Sequence, residues 1–129
     1  MDLEQLAASM PFARVLGLEL TNAAPERVEG TMSWTTELCT TGDLMHGGAL
    51  MALADSVGAI CAFLNLPEGA TTSTIEPKTN FFRAVRGGTV TATSSPLHVG
   101  RTTIVVQTSV IDVRSKPVSL SIQTQAVIQ

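Results

Sequence analysis

The chain has 129 residues, enough for one domain with a modest core; 44% of them are hydrophobic and 15% are charged. This balance excludes a disordered chain, and a net charge of −3, from eleven acids against eight bases, argues against a protein that coats nucleic acid. Two cysteines, Cys39 and Cys61, are too few for a disulfide framework and favour a reduced, cytoplasmic setting.

The first third of the chain predicts a short helix followed by a β-hairpin. Residues 2–9 carry leucines at helical spacing, and acids at positions 2 and 4 argue against a secretory signal peptide. A strand near 15–22 and a second strand over 26–34, joined by a turn at 22–25, form the expected hairpin. The apolar face of the second strand consists of Val28, Gly30, Met32 and Trp34.

The central segment, from Gly48 to about Leu64, predicts one long buried helix. It is rich in Ala, Leu and Met and is apolar almost all round, as expected for a helix inside a core. Asp55 and Ser56 interrupt this run, which is also short for a membrane span, so we expect no membrane association. A buried carboxylate is costly unless it is paired or used, so Asp55 is the first candidate site residue.

The rest of the chain predicts four β-strands, over 71–85, 88–99, 101–113 and 117–128, because these runs are rich in Thr, Val and Ile. Turn-sized breaks between them suit an antiparallel meander, and Pro77 must lie at an edge or a bulge. The sequence therefore predicts a single α+β domain over 1–129, with an antiparallel sheet wrapped around one long central helix.

Hydrolysis at a carbonyl group is one reaction that the start and the middle of this helix can support. A helix N-terminus offers unpaired N–H groups to a developing oxyanion, and Gly47 and Gly48 have no side chain to block an approaching carbonyl. Asp55 is a carboxylate in an apolar setting, and a carboxylate can activate water or attack a carbonyl directly. Both halves of a hydrolytic site are therefore present.

The segment HGGALMALADSVG, followed by the strand-type runs, resembles the hotdog fold. More narrowly, it is similar to the acyl-CoA thioesterases related to 4-hydroxybenzoyl-CoA thioesterase and the phenylacetate-pathway thioesterases. The resemblance covers nearly the whole chain, and its sharp part is His46-Gly47-Gly48 with an acid nine positions after the histidine. It implies a hydrolase that converts acyl-CoA and water to a carboxylic acid and coenzyme A without a cofactor or a metal.

The resemblance also implies residue roles. Asp55 would be the nucleophile or general base, the Gly47 amide the oxyanion donor, and His46 a residue that positions the loop or the thioester carbonyl. Many relatives carry Asn or Gln where this chain has Thr40, and several have Ser or Thr where it has Ala59. Relatives bind the nucleotide phosphates in regions that here contain Arg83, Arg86, Arg101, Thr102 and Thr103. The acyl or pantetheine channel would be lined by Asn80, Phe81 and Phe82.

One helix cannot bring Gly47 and Asp55 to the same thioester. Eight residues separate them, a rise of roughly 12 Å at about 1.5 Å per residue, whereas both groups must lie within hydrogen-bond reach of one carbonyl. We therefore expect a homodimer with two equivalent composite sites, in which Gly47 of one subunit faces Asp55 of the other. A dimer of dimers is also expected, through either the outer sheet faces or the helix faces.

Other interpretations stay open at the level of sequence. Asp55 is otherwise a structural carboxylate that caps a neighbouring loop, and His46 a helix-start histidine bonded to the backbone. A non-catalytic acyl-CoA-binding hotdog protein is the alternative function. A hotdog dehydratase or hydratase is a third, but the sequence context in which those enzymes place a catalytic His and an acid is not found here.

Overall fold

The computed structural model describes residues 2–129, and it contains the predicted sheet and central helix. Six antiparallel strands form one sheet in the order β1-β2-β4-β5-β6-β3, and the helix α3 (Gly47–Leu64) packs against all six. The strands are β1 (Glu19–Ala24), β2 (Arg27–Ser33), β3 (Thr71–Phe81), β4 (Thr89–Val99), β5 (Thr103–Ile111) and β6 (Pro117–Ile128). By length and composition alone α3 would also suit a membrane span, but here it is the core helix of the domain.

The N-terminal region differs from the prediction. After α1 (Leu3–Ala8), a second helix, α2 (Pro11–Leu16), occupies the beginning of the segment predicted as a strand over 15–22. Proline at the first helical position and Gly17 in the left-handed conformation (φ 73°) define this helix. These local start and stop signals place Val15 and Leu16 in the helix, although both were predicted to begin the strand. The turn that joins β1 and β2 consequently lies at Pro25 and Glu26.

The predicted meander is also wrong in one respect, since β3 pairs with β6 at the far edge of the sheet and not with β4. The strand ends at Phe81, four residues earlier than predicted. Residues 82–88 then lead from this edge of the sheet to β4, which lies between β2 and β5. In this crossing, the Val85 carbonyl accepts from the Met45 N–H (2.9 Å) and the Gly88 carbonyl from the Trp34 N–H (2.8 Å). Pro77 lies on this edge strand, as expected.

The core lies between α3 and the concave face of the sheet. Val28, Met32, Leu53, Val57 and Ile104 are all fully buried there. Burial alternates along most of β6, and the residues that face the helix are its polar ones. These buried polar side chains are Ser119, Ser121, Gln123 and Gln125.

The cysteines are both free thiols. Cys61 is fully buried on α3, and burial raises the pKa of its thiol to about 11. The thiol therefore stays protonated at neutral pH and is inert as a nucleophile.

Candidate active site

The start of α3 is capped by the side chain of His46. Its backbone is extended (φ −63°, ψ 134°), and its Nδ1 atom accepts a hydrogen bond from the Gly48 N–H at 2.7 Å. Because Nδ1 is the acceptor, a neutral ring carries its proton on Nε2, which remains available as a donor. The structure thus contains the backbone-bonded histidine considered as an alternative. The exposed ring also leaves the Nε2 side open to a ligand.

One N–H group of the first helical turn is left without a partner. The Gly48 N–H is taken by His46 Nδ1, while the Ala49 and Leu50 N–H groups both donate to the His46 carbonyl (2.9 and 3.2 Å). Within residues 2–129, the Gly47 N–H has no hydrogen-bond acceptor. The free donor at the positive end of the helix dipole is therefore the Gly47 N–H, the group predicted as the oxyanion donor.

A side chain would be crowded at both of these positions. A Cβ atom on Gly47 would lie 3.2 Å from Cζ of Phe81, whose ring covers the helix start. A Cβ atom on Gly48 would lie 2.8 Å from His46 Nδ1 and would disturb the cap itself. Phe81 therefore lies beside the candidate oxyanion donor.

Asp55 lies in the middle of α3 and is partly buried. Its Oδ1 atom accepts two hydrogen bonds, from Thr74 Oγ1 (3.1 Å) on β3 and from Gln123 Nε2 (2.9 Å) on β6. Its Oδ2 atom has no hydrogen-bond partner among the described residues, and no Lys, Arg or His nitrogen lies within ion-pair distance of the carboxylate there. One oxygen is thus fixed, and the other is open for chemistry.

The two partners of Asp55 belong to a longer chain of hydrogen bonds. Gln125 Nε2 donates to Thr74 Oγ1 at 2.6 Å, and Thr72 Oγ1 lies 3.0 Å from Gln125 Oε1. Sequence reasoning missed all four of these residues. The available signal was the placement of Gln123 and Gln125 two apart in a strand, on the face opposite Leu120 and Ile122, where strand geometry puts both amides on one side.

The remaining helix residues near Asp55 offer no reactive group. Ala59, one turn later, is partly buried and presents only a methyl group. The Ser56 hydroxyl donates to the Ala52 carbonyl at 2.7 Å and is therefore occupied. Thr40 is exposed before a short 3₁₀ turn, where its N–H donates to the Leu44 carbonyl at 2.7 Å. The structure does not bring Thr40 to Asp55 by any hydrogen bond.

The end of β3 separates the three residues predicted to line the channel. Phe81 faces the helix start, whereas Asn80 is exposed and its Oδ1 atom accepts from Lys78 Nζ at 2.9 Å. Phe82 follows the strand and is 57% exposed. Of these three residues, therefore, Phe81 is the one that lies next to Gly47 within a single chain.

Four basic residues surround a pocket of about 370 Å³ beyond the end of β3. Arg83 and Arg86 were expected at a phosphate site, and the turn between β5 and β6 adds Arg114 and Lys116, which the sequence did not single out. The Lys116 and Arg114 N–H groups hold the pKa of Asp112 below its usual range, so this carboxylate shapes the turn. Half of the eight basic residues of the chain thus line one pocket.

The other predicted phosphate ligands lie elsewhere. Arg101 and Thr102 are exposed in the β4–β5 turn and Thr103 begins β5, at the opposite end of the sheet from the basic pocket. A larger groove of about 590 Å³ lies between the N-terminal helices and β1, and none of the predicted site residues lines it. No cluster of three or more His, Cys, Asp or Glu side chains suited to a metal ion occurs within residues 2–129.

Comparison with known proteins agrees with this architecture. Residues 42–118 match a family model described as the thioesterase superfamily; the matched range includes Gly47 and Asp55 and ends before Gln123. The proofreading thioesterase EntH of Cronobacter turicensis is 35% identical over 103 residues, covering 78% of this chain and 75% of that protein.

Solved structures extend the likeness over the whole domain. A mutant thioesterase from Pseudomonas aeruginosa has a TM-score of 0.93 at 30% identity, over 99% of this chain and 94% of that one. A thioesterase from Haemophilus influenzae has a TM-score of 0.92 at 30% identity, over 100% and 92% of the two chains. The predicted hotdog fold is thereby confirmed.

Proposed function

As a member of the thioesterase superfamily the chain is a thioester hydrolase, and we propose that its substrates are acyl-CoA thioesters. In this proposal Asp55 is the nucleophile or general base, and the Gly47 N–H of the partner subunit stabilises the oxyanion. The observation that carries it is that two groups are left open by surrounding hydrogen bonds: Oδ2 of Asp55 and the Gly47 N–H. No cofactor takes part.

Both forms of the reaction use these two groups. As a base, Asp55 takes a proton from water while the water oxygen attacks the thioester carbonyl; the C–S bond then breaks and the thiolate takes up a proton. As a nucleophile, Asp55 attacks the carbonyl directly and expels the thiolate, and water hydrolyses the resulting anhydride. In either case negative charge develops on the carbonyl oxygen, where the Gly47 N–H would stabilise it. His46, with a free Nε2 side, would help to hold the carbonyl.

The open edge of β3 supports a composite site in a homodimer. Within residues 2–129, β3 pairs only with β6, so its other edge offers unpaired backbone groups to a second copy. A two-fold axis would pair the two β3 strands antiparallel and place opposite ends side by side. The end with Phe81, beside Gly47, would then lie near the partner's Thr74, beside Asp55.

Exposed Ile122 and Ile128 on the outer sheet face favour a further dimer of dimers.

The basic pocket supports coenzyme A as the thiol. Arg83, Arg86, Arg114 and Lys116 concentrate positive charge in a chain whose net charge is −3, as expected for a surface that meets phosphate groups. Val85 lines this pocket, and its carbonyl bonds the Met45 N–H two residues before Gly47, so the pocket adjoins the helix start. We place the reaction in the cytoplasm, where both free cysteines stay reduced.

We expect the wild-type protein to release free thiol from members of a panel of aliphatic and aromatic acyl-CoAs.

We also expect charge reversal of the pocket, Arg114→Glu with Lys116→Glu, to raise KM for acyl-CoA by about tenfold, since charge-assisted hydrogen bonds to phosphate are lost. Hydrolysis of the same acyl group on N-acetylcysteamine, which has no phosphate, should be unchanged.

Arg14→Glu with Arg27→Glu is the matched control, because it makes the same change in charge away from the pocket. An equal rise in KM in the control would reduce the effect to net charge. No turnover of any acyl-CoA would count against the enzyme's proposed substrate class. The non-catalytic alternative, favoured by Thr40 and Ala59 in place of polar residues, predicts acyl-CoA binding without thiol release.

A further inference from the structure

We propose that Gln123 is a positioning residue that, together with Thr74, holds the carboxylate of Asp55 in place. Gly58 leaves the space beside α3 that the Gln123 amide occupies. The proposal rests on the role of Asp55 in the proposed function. Gln123 is 1% exposed and donates through Nε2 to Asp55 Oδ1 at 2.9 Å. A side chain this deeply buried behind the carboxylate has no surface for substrate, so its action on the reaction is through Asp55.

Gly58 is what allows the amide to reach this place. A Cβ atom on Gly58 would lie 1.9 Å from Gln123 Oε1 and 2.7 Å from its Cδ, so no other residue fits without displacing the amide. Glycine within a helix weakens it relative to alanine, and the remainder of α3 is rich in alanine. The sequence thus keeps an unfavourable helix residue at the one point where Gln123 crosses towards Asp55.

The second arm of the network gives the hydrogen bonds a direction. Because Gln125 Nε2 donates to Thr74 Oγ1 at 2.6 Å, the single hydroxyl proton of Thr74 is free to point at Asp55 Oδ1, 3.1 Å away. The single proton of the Thr72 hydroxyl is shared between Gln125 Oε1 (3.0 Å) and the Ala126 carbonyl (2.8 Å). Both donors converge on the same oxygen, and Oδ2 is the oxygen left to the substrate or water.

The partners of Asp55 are all neutral. The charged or titratable residues on the elements that pack against α3 are all at least partly exposed. None of them, nor His46 at the start of α3, makes a hydrogen bond or ion pair with Asp55. These residues are Arg14, Glu19, Arg27, Glu29, Glu76, Lys78 and His98. Strands β5 and β6 carry no charged residue. The carboxylate is therefore oriented by dipoles, and within residues 2–129 no cation pairs with it.

Replacing Gln123 by Leu, which has a similar shape and no donor, tests this role. We expect kcat to fall by about tenfold because the carboxylate is no longer held in register, and KM for acyl-CoA to stay within about twofold. Gln107→Leu, the same change on the outward face of β5, is the matched control and should leave kcat and KM unchanged.

The Gly58 variants separate positioning from folding. Gly58→Ala should lower both Tm and kcat, because the new methyl group displaces the Gln123 amide. Adding Gln123→Ala removes the clash, so the double variant should recover Tm but not kcat. Recovery of kcat with Tm, or a folded Gln123→Leu protein with wild-type kcat, would overturn the proposal. If Asp55→Ala also left turnover intact, the proposed site itself would be wrong; if Asp55→Ala abolished turnover, the failure would belong to Gln123 alone.

Discussion

Asp55→Asn is expected to lower kcat for thioester hydrolysis by about a thousandfold while leaving the fold intact. Asparagine has the same shape, and its carbonyl oxygen still accepts hydrogen bonds from Thr74 and Gln123, so the network that anchors the side chain survives. Its amide neither takes a proton from water nor attacks a carbonyl. General-base catalysis contributes about 10²–10⁴ to rates, and the loss should fall in this range.

The measurement is thiol release from an acyl-CoA, with Tm as the test of folding. Ser56→Ala is the control, because its hydroxyl is adjacent in sequence but already donates to the Ala52 carbonyl. Its kcat should stay within about twofold of wild type. An Asp55→Asn protein that folds and retains wild-type kcat would leave Asp55 with only its structural role.

The central helix and its chemistry were predictable because they depend on local sequence. The apolar run that ends at Leu64 predicts a buried helix by composition, and two glycines after His46 leave a helix start open to ligand. In the structure, the N–H groups of Gly48, Ala49 and Leu50 all have acceptors, so the Gly47 N–H is the free donor of the first turn. The Gly47-to-Asp55 separation also follows from helical rise alone.

The surroundings of Asp55 were not predictable in the same way, because they depend on which strands become neighbours. Thr74 and Gln123 are 49 residues apart in sequence and meet only because β3 pairs with β6 at the edge of the sheet. The predicted meander placed β3 beside β4, and so hid this pairing. Likewise, Arg83 and Arg114 share a pocket only because the crossing at 82–88 passes the β5–β6 turn.

Gly47→Pro is expected to lower kcat by about 10²–10³ by removing a single N–H group. Proline is well tolerated at the first position of a helix, and His46 already has the extended conformation that precedes proline (ψ 134°). The Gly47 N–H has no acceptor among residues 2–129, so no hydrogen bond of the fold is lost. Gly47→Ala is the control, since it also puts a carbon against the Phe81 ring but keeps the N–H. Equal losses in the two variants would assign the effect to crowding and not to the oxyanion.

The same variant shows whether each site is shared between two subunits. If it is, Asp55→Asn chains and Gly47→Pro chains are each inactive alone, yet a mixed dimer contains one site with an intact Asp55 and an intact Gly47. Random mixing of equal amounts makes about half of the dimers mixed, and one of two sites in each is whole, so about a quarter of wild-type activity should return. A site contained within one chain would recover nothing, because neither chain holds both groups. The roughly 12 Å between Gly47 and Asp55 along α3 makes recovery the expected result.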